Sequence, residues 1–384
     1  MSSSNGKAII CRDTLANGGW KLEDVSVRQP GEGELLVEMV ASGVCHTDVL
    51  IGGLPNGAAP IAFYPRVLGH EGSGYVRSVG PGVTVAKAGD PVLLSFASCE
   101  SCAICLASQH SHCVYANELN FGPQPPTFGA PNDAANPSVP GAFFGQSSFA
   151  SLSIVRQSSV VNASSLVSSK AELQLLAPLG CGVQTGAGTI INAANAQPRD
   201  IVCVLGLGGV GLSAIMGAKI QGCRRIIGVD RVASRLELAK AMGATHVIDT
   251  SKFGEGETLA SAVRAVSEDL GPTVTVDTTG VPALIKAMVE FSRNRGKILQ
   301  VGSAPFDFKL ELSVFDFMVR GLQYIGAVEG QAHPPEFVPK MVRWYKEGKF
   351  PVDKMMKLMP AEEFEKAVKE MHDGTTIKPI LTWS

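Results

Sequence analysis

The segment between residues 201 and 230 constrains the fold of this chain more than any other. It starts with the apolar, β-branched run 201–205, passes through the glycine-rich sequence GLGGVG at 206–211, and ends in a second apolar run that closes at Asp230. Apolar runs of strand length on either side of a glycine turn and a helix-length segment predict a strand–turn–helix–strand unit. This order is typical of a parallel βαβ motif.

The same segment also has some features of a membrane span. Residues 201–218 carry no charge and are almost long enough to cross a bilayer. Five glycines fall within the run, and Asp200 and Lys219 flank it, which favours a buried strand, turn and helix. The N-terminal sequence MSSSNGK lacks the apolar core of a secretory signal. We therefore expect a cytoplasmic protein without membrane contact.

The glycine spacing indicates what the βαβ unit binds. Gly206, Gly208 and Gly211 form the pattern GxGxxG directly after the predicted strand, and Gly209 and Val210 lie within it. Such glycines allow a tight turn and bring backbone N–H groups close to a pyrophosphate at the helix N-terminus. A glycine-rich turn without any ligand is the alternative, but the strand and helix around it favour a dinucleotide site.

A carboxylate at the end of the second strand bears on the choice of dinucleotide. Asp230 occupies the position at which an acidic side chain can accept the hydroxyls of the adenosine ribose. It would repel a 2′-phosphate, so NAD is favoured over NADP. The neighbouring Arg231 would instead suit a phosphate.

Length and the remaining apolar runs predict two domains. A chain of 384 residues exceeds one ordinary core. Alternating strands and helices predict an α/β domain with a doubly wound parallel sheet over residues 161–329. Residues 1–160 have short β runs between Gly and Pro turns and predict a mostly-β domain, to which residues 330–384 return. The further strands expected in the α/β domain lie at 244–250, 273–280, 296–303 and 322–328.

Two other sequence features bear on the expected binding partners and on the protein surface. The 33 basic and 35 acidic residues leave a formal net charge of −2 and are spread along the chain. Nucleic-acid surfaces and polybasic anchors need clustered basic residues, so we expect neither kind of partner. The proline-rich segment 123–141 is expected to be a surface loop.

Residues 99–113 hold four of the nine cysteines, with the spacing C-x2-C-x2-C-x7-C. Four thiolates on a short loop can surround Zn²⁺ without a water ligand. An iron–sulfur cluster needs a different spacing for its last cysteine, and free or disulfide-paired thiols are the other alternative. His110 and His112 are substitute ligands that the thiolate set does not need. The pattern predicts a structural zinc site formed by Cys99, Cys102, Cys105 and Cys113.

Three residues outside this loop have the chemistry of a catalytic zinc site. Cys45 lies in GVCHTD, His70 in LGHEGSG and Cys181 in LGCGVQTG, all in glycine-containing, turn-like contexts. Two thiolates and one imidazole can hold Zn²⁺ with a fourth position open for water or substrate. The three are far apart in sequence, so spacing alone does not join them, and each has a structural alternative.

Along nearly its whole length the chain resembles the zinc-dependent alcohol dehydrogenases of the medium-chain dehydrogenase/reductase superfamily. Two segments, FFGQSSFA at 143–150 and LGCGVQTGAG, are similar to those of aryl- (benzyl-) alcohol and geraniol dehydrogenases. The motifs that carry the wider resemblance are GVCHTD (43–48), GHEGSG (69–74), the four-cysteine loop, LGCGVQTG (179–186), GLGGVG (206–211) and IKPIL (377–381).

The resemblance implies roles for residues around the metal. The three ligands named above would hold the catalytic zinc, and Glu71 would approach the metal during ligand exchange. Asp48 would hydrogen-bond His70 and orient it. Thr47 would accept a hydrogen bond from the substrate alcohol and begin removal of its proton.

The resemblance also implies contacts with the cofactor. His46 would face the pyrophosphate, and Lys378 stands where the family often has a basic residue near it. Arg235 would lie near the adenosine ribose, and Thr185 and Val210 would pack against the nicotinamide. The residues expected to line the nicotinamide pocket are Val301, Gly302 and Ser303.

One position departs from the residue pattern of the alcohol dehydrogenase family. Many alcohol dehydrogenases have a histidine where this chain has Leu50, and that histidine passes the proton to solvent. Benzyl-alcohol members of the family share the lack, so the proton would leave through the cofactor ribose and water or through another group. Phe96, Phe143 and Phe144 are candidate apolar walls for the substrate, with ordinary core packing as the alternative.

Taken with the resemblance, the sequence predicts a GroES-like catalytic domain, a Rossmann domain, two zinc ions and NAD. The expected reaction interconverts a primary aromatic or allylic alcohol and its aldehyde. The alternatives are a zinc dehydrogenase for aliphatic or other alcohols, and a zinc-stabilised dinucleotide-binding protein without catalysis. The family resemblance further implies a homodimer or homotetramer, in which a strand such as LQYIGAV pairs with its copy.

Overall fold

A computed structural model describes residues 5–384 and divides the chain into two compact units. The first contains the chain up to Cys181, together with His333–Arg343 and Val352–Ser384. The second contains Gly182–Ala332 and Trp344–Pro351.

Strands dominate the first unit and the centre of the second. In chain order the strands are β1 Asn5–Cys11, β2 Trp20–Val27, β3 Glu34–Gly43, β4 Arg66–Val67, β5 Gly72–Val79, β6 Pro91–Leu94, β7 Pro126–Gly129, β8 Val139–Pro140, β9 Leu152–Arg156, β10 Val160–Asn162, β11 Ile201–Leu205, β12 Arg225–Asp230, β13 His246–Asp249, β14 Val274–Asp277, β15 Lys297–Gln300, β16 Gln323–Gly326, β17 Met356–Pro360 and β18 Lys378–Thr382.

Helices are short in the first half of the chain and longer in the second. They are α1 His46–Ile51, α2 Ala103–Leu106, α3 Ala116–Asn120, α4 Lys170–Leu175, α5 Gly182–Gly188, α6 Gly209–Ile220, α7 Ala233–Met242, α8 Leu259–Ala265, α9 Pro282–Phe291, α10 Val314–Arg320, α11 Pro334–Lys346 and α12 Phe364–Asp373. Within residues 5–384, no helix combines the length and the apolar character that a membrane crossing requires.

The first unit is built on two sheets. One has the order β4-β1-β2-β7-β8, and the other runs β10-β6-β5-β3-β18-β17 with β9 also paired to β3. Strand β3 is central because β5 and β9 pair with it along most of its length and β18 pairs with its end at residues 41–43. This pairing brings the C-terminal strand β18 beside the residues that precede Cys45. The mostly-β character predicted for this part of the chain is confirmed.

The second unit contains a six-stranded sheet in the order β13-β12-β11-β14-β15-β16, with every pair parallel. Strand β11 is buried at every residue, as expected for a parallel strand covered on both faces. The doubly wound parallel sheet predicted from the sequence is confirmed, and each expected strand after the glycine motif forms.

The segment 123–141 is not only the surface loop that its prolines suggested. Strands β7 and β8 lie within it and pair with each other, and β7 also pairs with β2. Phe128 is fully buried and Val139 almost so. The expectation was wrong for these residues because two apolar side chains anchor the segment to the sheet.

Candidate active site and metal centres

Three turns of the first unit bring together the residues expected at the catalytic metal. Cys45 precedes helix α1, His70 lies just before β5, and Cys181 follows the 3-10 turn Ala177–Gly180. One potential ligand atom from each of Cys45, His70, Glu71 and Cys181 lies within 4.8 Å of the others. The predicted long-range set therefore converges.

The Asp48 carboxylate holds the His70 imidazole through its Nδ1 atom. Asp48 is fully buried, and its Oδ1 lies 2.9 Å from His70 Nδ1 and accepts a hydrogen bond from the Gly69 N–H at 3.0 Å. Its Oδ2 accepts the backbone N–H of Cys45 at 3.0 Å. One side chain thus holds the backbone of Cys45 and of the residue before His70, and it fixes the orientation of the His70 ring.

The other ring nitrogen supports the metal assignment. His70 Nε2 is buried and has no hydrogen-bond partner among the residues that the structure describes. A buried nitrogen without a partner is costly unless something else satisfies it. It lies beside two thiols, and this donor set is one that Zn²⁺ prefers. The residues present therefore fit a zinc ion.

The electrostatics of the cluster favour the thiolate of Cys45, the form that binds a metal, but they favour a protonated His70. A hydrogen bond from the Cys181 thiol lowers the pKa of Cys45 well below its ordinary value against the effect of burial, and the charges of His70 and Lys378 act in the same direction. Burial opposes a charge on His70, but Asp48 and Cys45 raise the pKa of its imidazole well above its ordinary value. A bound cation would release that proton and bind the neutral nitrogen.

Helix α1 carries the other residues that the sequence analysis named near the catalytic metal. Thr47 is half-buried one position before Asp48, and His46 and Leu50 are exposed. Leu50 has 40% of its surface accessible and cannot carry a proton. Thr47 therefore lies two positions after Cys45, and the side chain at position 50 cannot relay a proton.

Glu71 and Lys378 form a buried ion pair, although the two residues are far apart in sequence. Lys378 Nζ donates to Glu71 Oε1 at 2.9 Å, to Oε2 at 3.0 Å, and to the Val44 carbonyl at 3.2 Å. Burial disfavours the charge, but Glu71 raises the pKa of Lys378 above its ordinary value. The structure thus places Lys378 against Glu71, beside the candidate ligands, whereas the resemblance implied that Lys378 lies near the cofactor pyrophosphate.

The four-cysteine loop converges as predicted. Cys99, Cys102, Cys105 and Cys113 each offer a sulfur within 4.8 Å of the others. Backbone N–H groups point at these sulfurs: Cys102 N lies 3.2 Å from Cys99 Sγ, and Cys105 N lies 3.4 Å from Cys102 Sγ. The N–H groups of Ser101 and Cys102 lower the pKa of Cys99 to about 6. Burial instead raises the pKa of Cys105 to about 12 and that of Cys113 above its ordinary value. The convergence of four sulfurs is therefore the observation that fits a tetrahedral zinc ion.

The histidines of this loop are not part of the convergent group. His110 stacks on His333 with ring centroids 4.1 Å apart, and its Nδ1 lies 3.2 Å from Ser98 Oγ. Phe96 lines a small cavity together with Ser98, His110 and His333. Phe96 therefore packs beside the four-cysteine loop.

In the second unit, the glycine motif forms the turn between β11 and α6. Gly206 has φ +85°, and a Cβ on Gly211 would lie 1.8 Å from the Gly206 carbonyl oxygen, so only glycine allows the two to approach. A Cβ on Gly208 would meet nothing within 4 Å, which leaves space for a group at the N-terminus of α6. Gly209 and Val210 begin that helix. The turn fits a dinucleotide pyrophosphate.

Asp230 lies against the same turn. Its Oδ2 accepts the Leu207 N–H at 2.7 Å, and its Oδ1 accepts the Arg231 N–H at 2.7 Å. Arg235 NH1 lies 3.9 Å from the carboxylate. The carboxylate is thus held at the carboxyl ends of the first two strands of the unit, the edge where parallel α/β sheets bind ligands.

The remaining expected cofactor residues also belong to this unit. Thr185 lies in α5, and this helix contacts the start of α6, since a Cβ on Gly186 would lie 2.0 Å from the Val210 carbonyl oxygen. The backbone N–H groups of Val301 and Gly302 both donate to the Asp277 carbonyl, just after β15. Ser303 is the exposed member of that turn.

Comparison with known proteins identifies the family of this chain. A family profile described as "Alcohol dehydrogenase GroES-like domain" matches residues 31–165, and one described as "Zinc-binding dehydrogenase" matches residues 209–347. The geraniol dehydrogenase of Castellaniella defragrans is 36% identical over 368 residues, which are 95% of each chain. This chain belongs to the zinc-dependent medium-chain alcohol dehydrogenases.

Solved structures support the same assignment for the fold. The benzyl alcohol dehydrogenase of Acinetobacter calcoaceticus is 36% identical, has a TM-score of 0.88 and covers 99% of each chain. A protein from Burkholderia ambifaria described as an alcohol dehydrogenase zinc-binding domain protein is 35% identical, with a TM-score of 0.90 and full coverage of each chain. The predicted GroES-like and Rossmann architecture is confirmed.

The structure of this dehydrogenase also shows residues near the metal cluster that sequence reasoning missed. Gln146 donates its side-chain amide to the His70 carbonyl. It lies in the FFGQSSFA segment, where a polar triplet between aromatic residues was the available signal. No local sequence pattern marks the Glu71–Lys378 pair, because the two residues come together only through the pairing of β18 with β3.

Proposed function

We propose that this dehydrogenase interconverts a primary aromatic or allylic alcohol and its aldehyde, with NAD as the hydride acceptor or donor. The observation that carries the proposal is the orphaned His70 Nε2 beside two thiols, with aromatic rings packed against the same imidazole. A zinc ion bound there would polarise the alcohol oxygen and lower its pKa.

The chain's own groups would handle the proton. Thr47 would accept a hydrogen bond from the substrate hydroxyl and begin proton removal, and Asp48 would keep the His70 ring in its metal-facing orientation. Glu71 would serve ligand exchange at the metal, with its charge balanced by Lys378. Because Leu50 cannot relay a proton, the route to solvent would use the cofactor ribose and water or another group.

The preference for NAD rests on Asp230. Three backbone N–H groups, those of Leu207, Arg231 and Val232, fix this carboxylate beside the glycine turn. A fixed negative charge there would accept ribose hydroxyls and repel a 2′-phosphate. NAD would supply the hydride acceptor in the oxidation direction.

The aromatic or allylic preference rests on the rings around His70. Phe144 stacks on the imidazole at 4.4 Å and Phe143 meets it edge-on at 5.5 Å. Phe121 in turn packs edge-on against Phe144 at 4.9 Å. An apolar wall beside the metal would favour a planar, hydrophobic alcohol over ethanol. The two relatives named for geraniol and benzyl alcohol agree with this preference.

The test is reduction of NAD⁺ with benzyl alcohol, geraniol and ethanol, followed by the ultraviolet absorbance of NADH. We expect kcat/KM for benzyl alcohol or geraniol to exceed that for ethanol by at least about tenfold, since several buried CH₂ equivalents separate the substrates. NADP⁺ in place of NAD⁺ should lower the rate. A larger kcat/KM with ethanol would contradict the aromatic preference and leave the zinc chemistry in place.

We propose further that the protein is a homodimer formed through the second unit, with the homotetramer as an assembly of two such dimers. Strand β16 is the last strand of the six-stranded sheet, and an edge strand can pair with a second copy. Exposed apolar side chains lie nearby in sequence, and an exposed cluster of this kind marks an interaction site. They are Phe306, Val314, Phe315, Met318 and Val319.

Phe315→Glu is expected to shift the protein from dimer to monomer in sedimentation velocity, because a charge would replace a ring that is 72% exposed in the single chain. Leu270→Glu is the matched control, since Leu270 is a 64% exposed side chain in the same unit but away from the edge strand. A Phe315→Glu protein that stays dimeric would contradict this interface. The expected cytoplasmic location stays a prediction.

A further inference from the structure

A buried amide links the chain segment that carries His70 to the end of strand β6. Gln146 is fully buried, and its Nε2 donates to the His70 carbonyl and to the Ser95 carbonyl, both at 2.9 Å. Its Oε1 accepts the Gly72 N–H at 3.0 Å. The side chain thus holds the backbone on both sides of Glu71 and links it to the end of β6.

Ser95 continues the connection towards Cys181. Its Oγ donates to the Gly180 carbonyl at 2.6 Å, and Gly180 directly precedes Cys181. A Cβ on Gly180 would lie 1.7 Å from the Leu94 carbonyl oxygen, so the two backbones are in direct contact. Gln146 and Ser95 together form a hydrogen-bonded path from His70 to the residue before Cys181.

This path complements the one that Asp48 makes. Asp48 joins the Cys45 backbone to the His70 ring. The Gln146–Ser95 path adds a polar link between the His70 and Cys181 segments. A metal site needs its donor atoms held at fixed separations, and groups outside the ligand set supply much of that constraint.

The backbone around Gln146 is held in an uncommon conformation. Ala142, Phe144 and Ser147 have φ of 56°, 53° and 52°, a region that residues with a side chain rarely occupy. The turn places the Phe144 ring on one face of His70 and the Gln146 amide on the carbonyl of the same residue. Strained turns of this kind persist where the surroundings require one geometry.

We propose that Gln146 is a positioning residue for the metal-binding pair His70 and Cys181, and that Ser95 carries its effect to Cys181. This inference rests on the metal site in the proposed function. It assigns Gln146 no contact with substrate or metal. Its contribution is the fixed spacing of an imidazole and a thiolate that approach the cluster from separate parts of the chain.

The test compares variants of the full chain loaded with Co²⁺, whose absorption differs between a four-thiolate set and a set of two thiolates and one imidazole. Gln146→Met keeps the side-chain volume and removes all three hydrogen bonds. We expect Co²⁺ loss from the mixed site to a chelator to be about 10–100-fold faster, with a shifted spectrum. Ser95→Ala removes one buried hydrogen bond and is expected to accelerate loss roughly fivefold.

Asn120→Ala is the matched control. Asn120 is another buried amide of the first unit, with bonds to both backbone groups of Ala97 and to the Ala116 carbonyl. Its loss is expected to leave the mixed-site rate within about twofold of wild type, since its bonds do not reach the residues next to His70 or Cys181.

Two results would overturn the positioning role: wild-type release rates in both Gln146→Met and Ser95→Ala, or an equal acceleration in Asn120→Ala. If Gln146→Met does not fold, Ser95→Ala decides the matter alone. A wild-type protein without the mixed-site spectrum would instead overturn the metal site itself, and the positioning role with it.

Discussion

Replacing Cys45 by serine is expected to lower the zinc content from two ions to one per chain and to reduce alcohol oxidation by on the order of 10³-fold. The His70 imidazole and the Cys181 thiol would remain, but two protein donors hold zinc poorly, and a serine hydroxyl is not a thiolate. Elemental analysis of the dialysed variant and its kcat/KM with benzyl alcohol measure both effects.

The control for this prediction is a cysteine that belongs to neither convergent group. Cys223 is buried in the second unit and is a free thiol in the described structure. Cys223→Ser should retain both zinc ions and wild-type activity. Full activity in Cys45→Ser, or the loss of an ion from Cys223→Ser, would show that the proposed ligand set is wrong.

Lys378→Met is expected to cost about 3–5 kcal/mol in the free energy of unfolding, because it leaves the Glu71 carboxylate buried without its cation. Glu71 is fully buried, so water cannot replace the lost partner. Urea unfolding of the zinc-loaded chain gives the difference. The double variant Glu71→Gln, Lys378→Met should recover most of the loss, since neither charge of the pair then remains.

The comparison for Lys378→Met is an exposed pair in the same unit. Lys357 and Glu370 form a salt bridge of 2.6 Å, but about half of the lysine side chain is exposed. Lys357→Met should therefore change the free energy of unfolding far less, because water solvates the carboxylate that remains. Equal costs for the two lysine variants would contradict the buried pair.

Local sequence patterns predicted the parts of this fold that depend on neighbouring residues. The glycine turn at 206–211 and strands β11 to β16 follow from apolar runs and glycine spacing, which act over a few residues. The four-cysteine loop is equally local, since fifteen residues contain every sulfur of the group. These features could be read from the chain without knowledge of its tertiary contacts.

Features that depend on strand pairing could not be read in the same way. The convergence of Cys45, His70 and Cys181 was expected only through family resemblance, because no spacing rule joins residues so far apart. The Glu71–Lys378 pair and the Gln146 amide depend on tertiary contacts that local pattern does not encode. The burial of Phe128 within a proline-rich segment was missed for the same reason.

The most direct test of the central claim is the zinc content of the unmodified chain, determined on the same preparation that is assayed with benzyl alcohol. Two zinc ions per chain are expected, one for each convergent ligand group. Removal of the ion at Cys45, His70 and Cys181 by a chelator should abolish alcohol oxidation. A preparation that oxidises benzyl alcohol at full rate with only the four-cysteine site occupied would contradict the account.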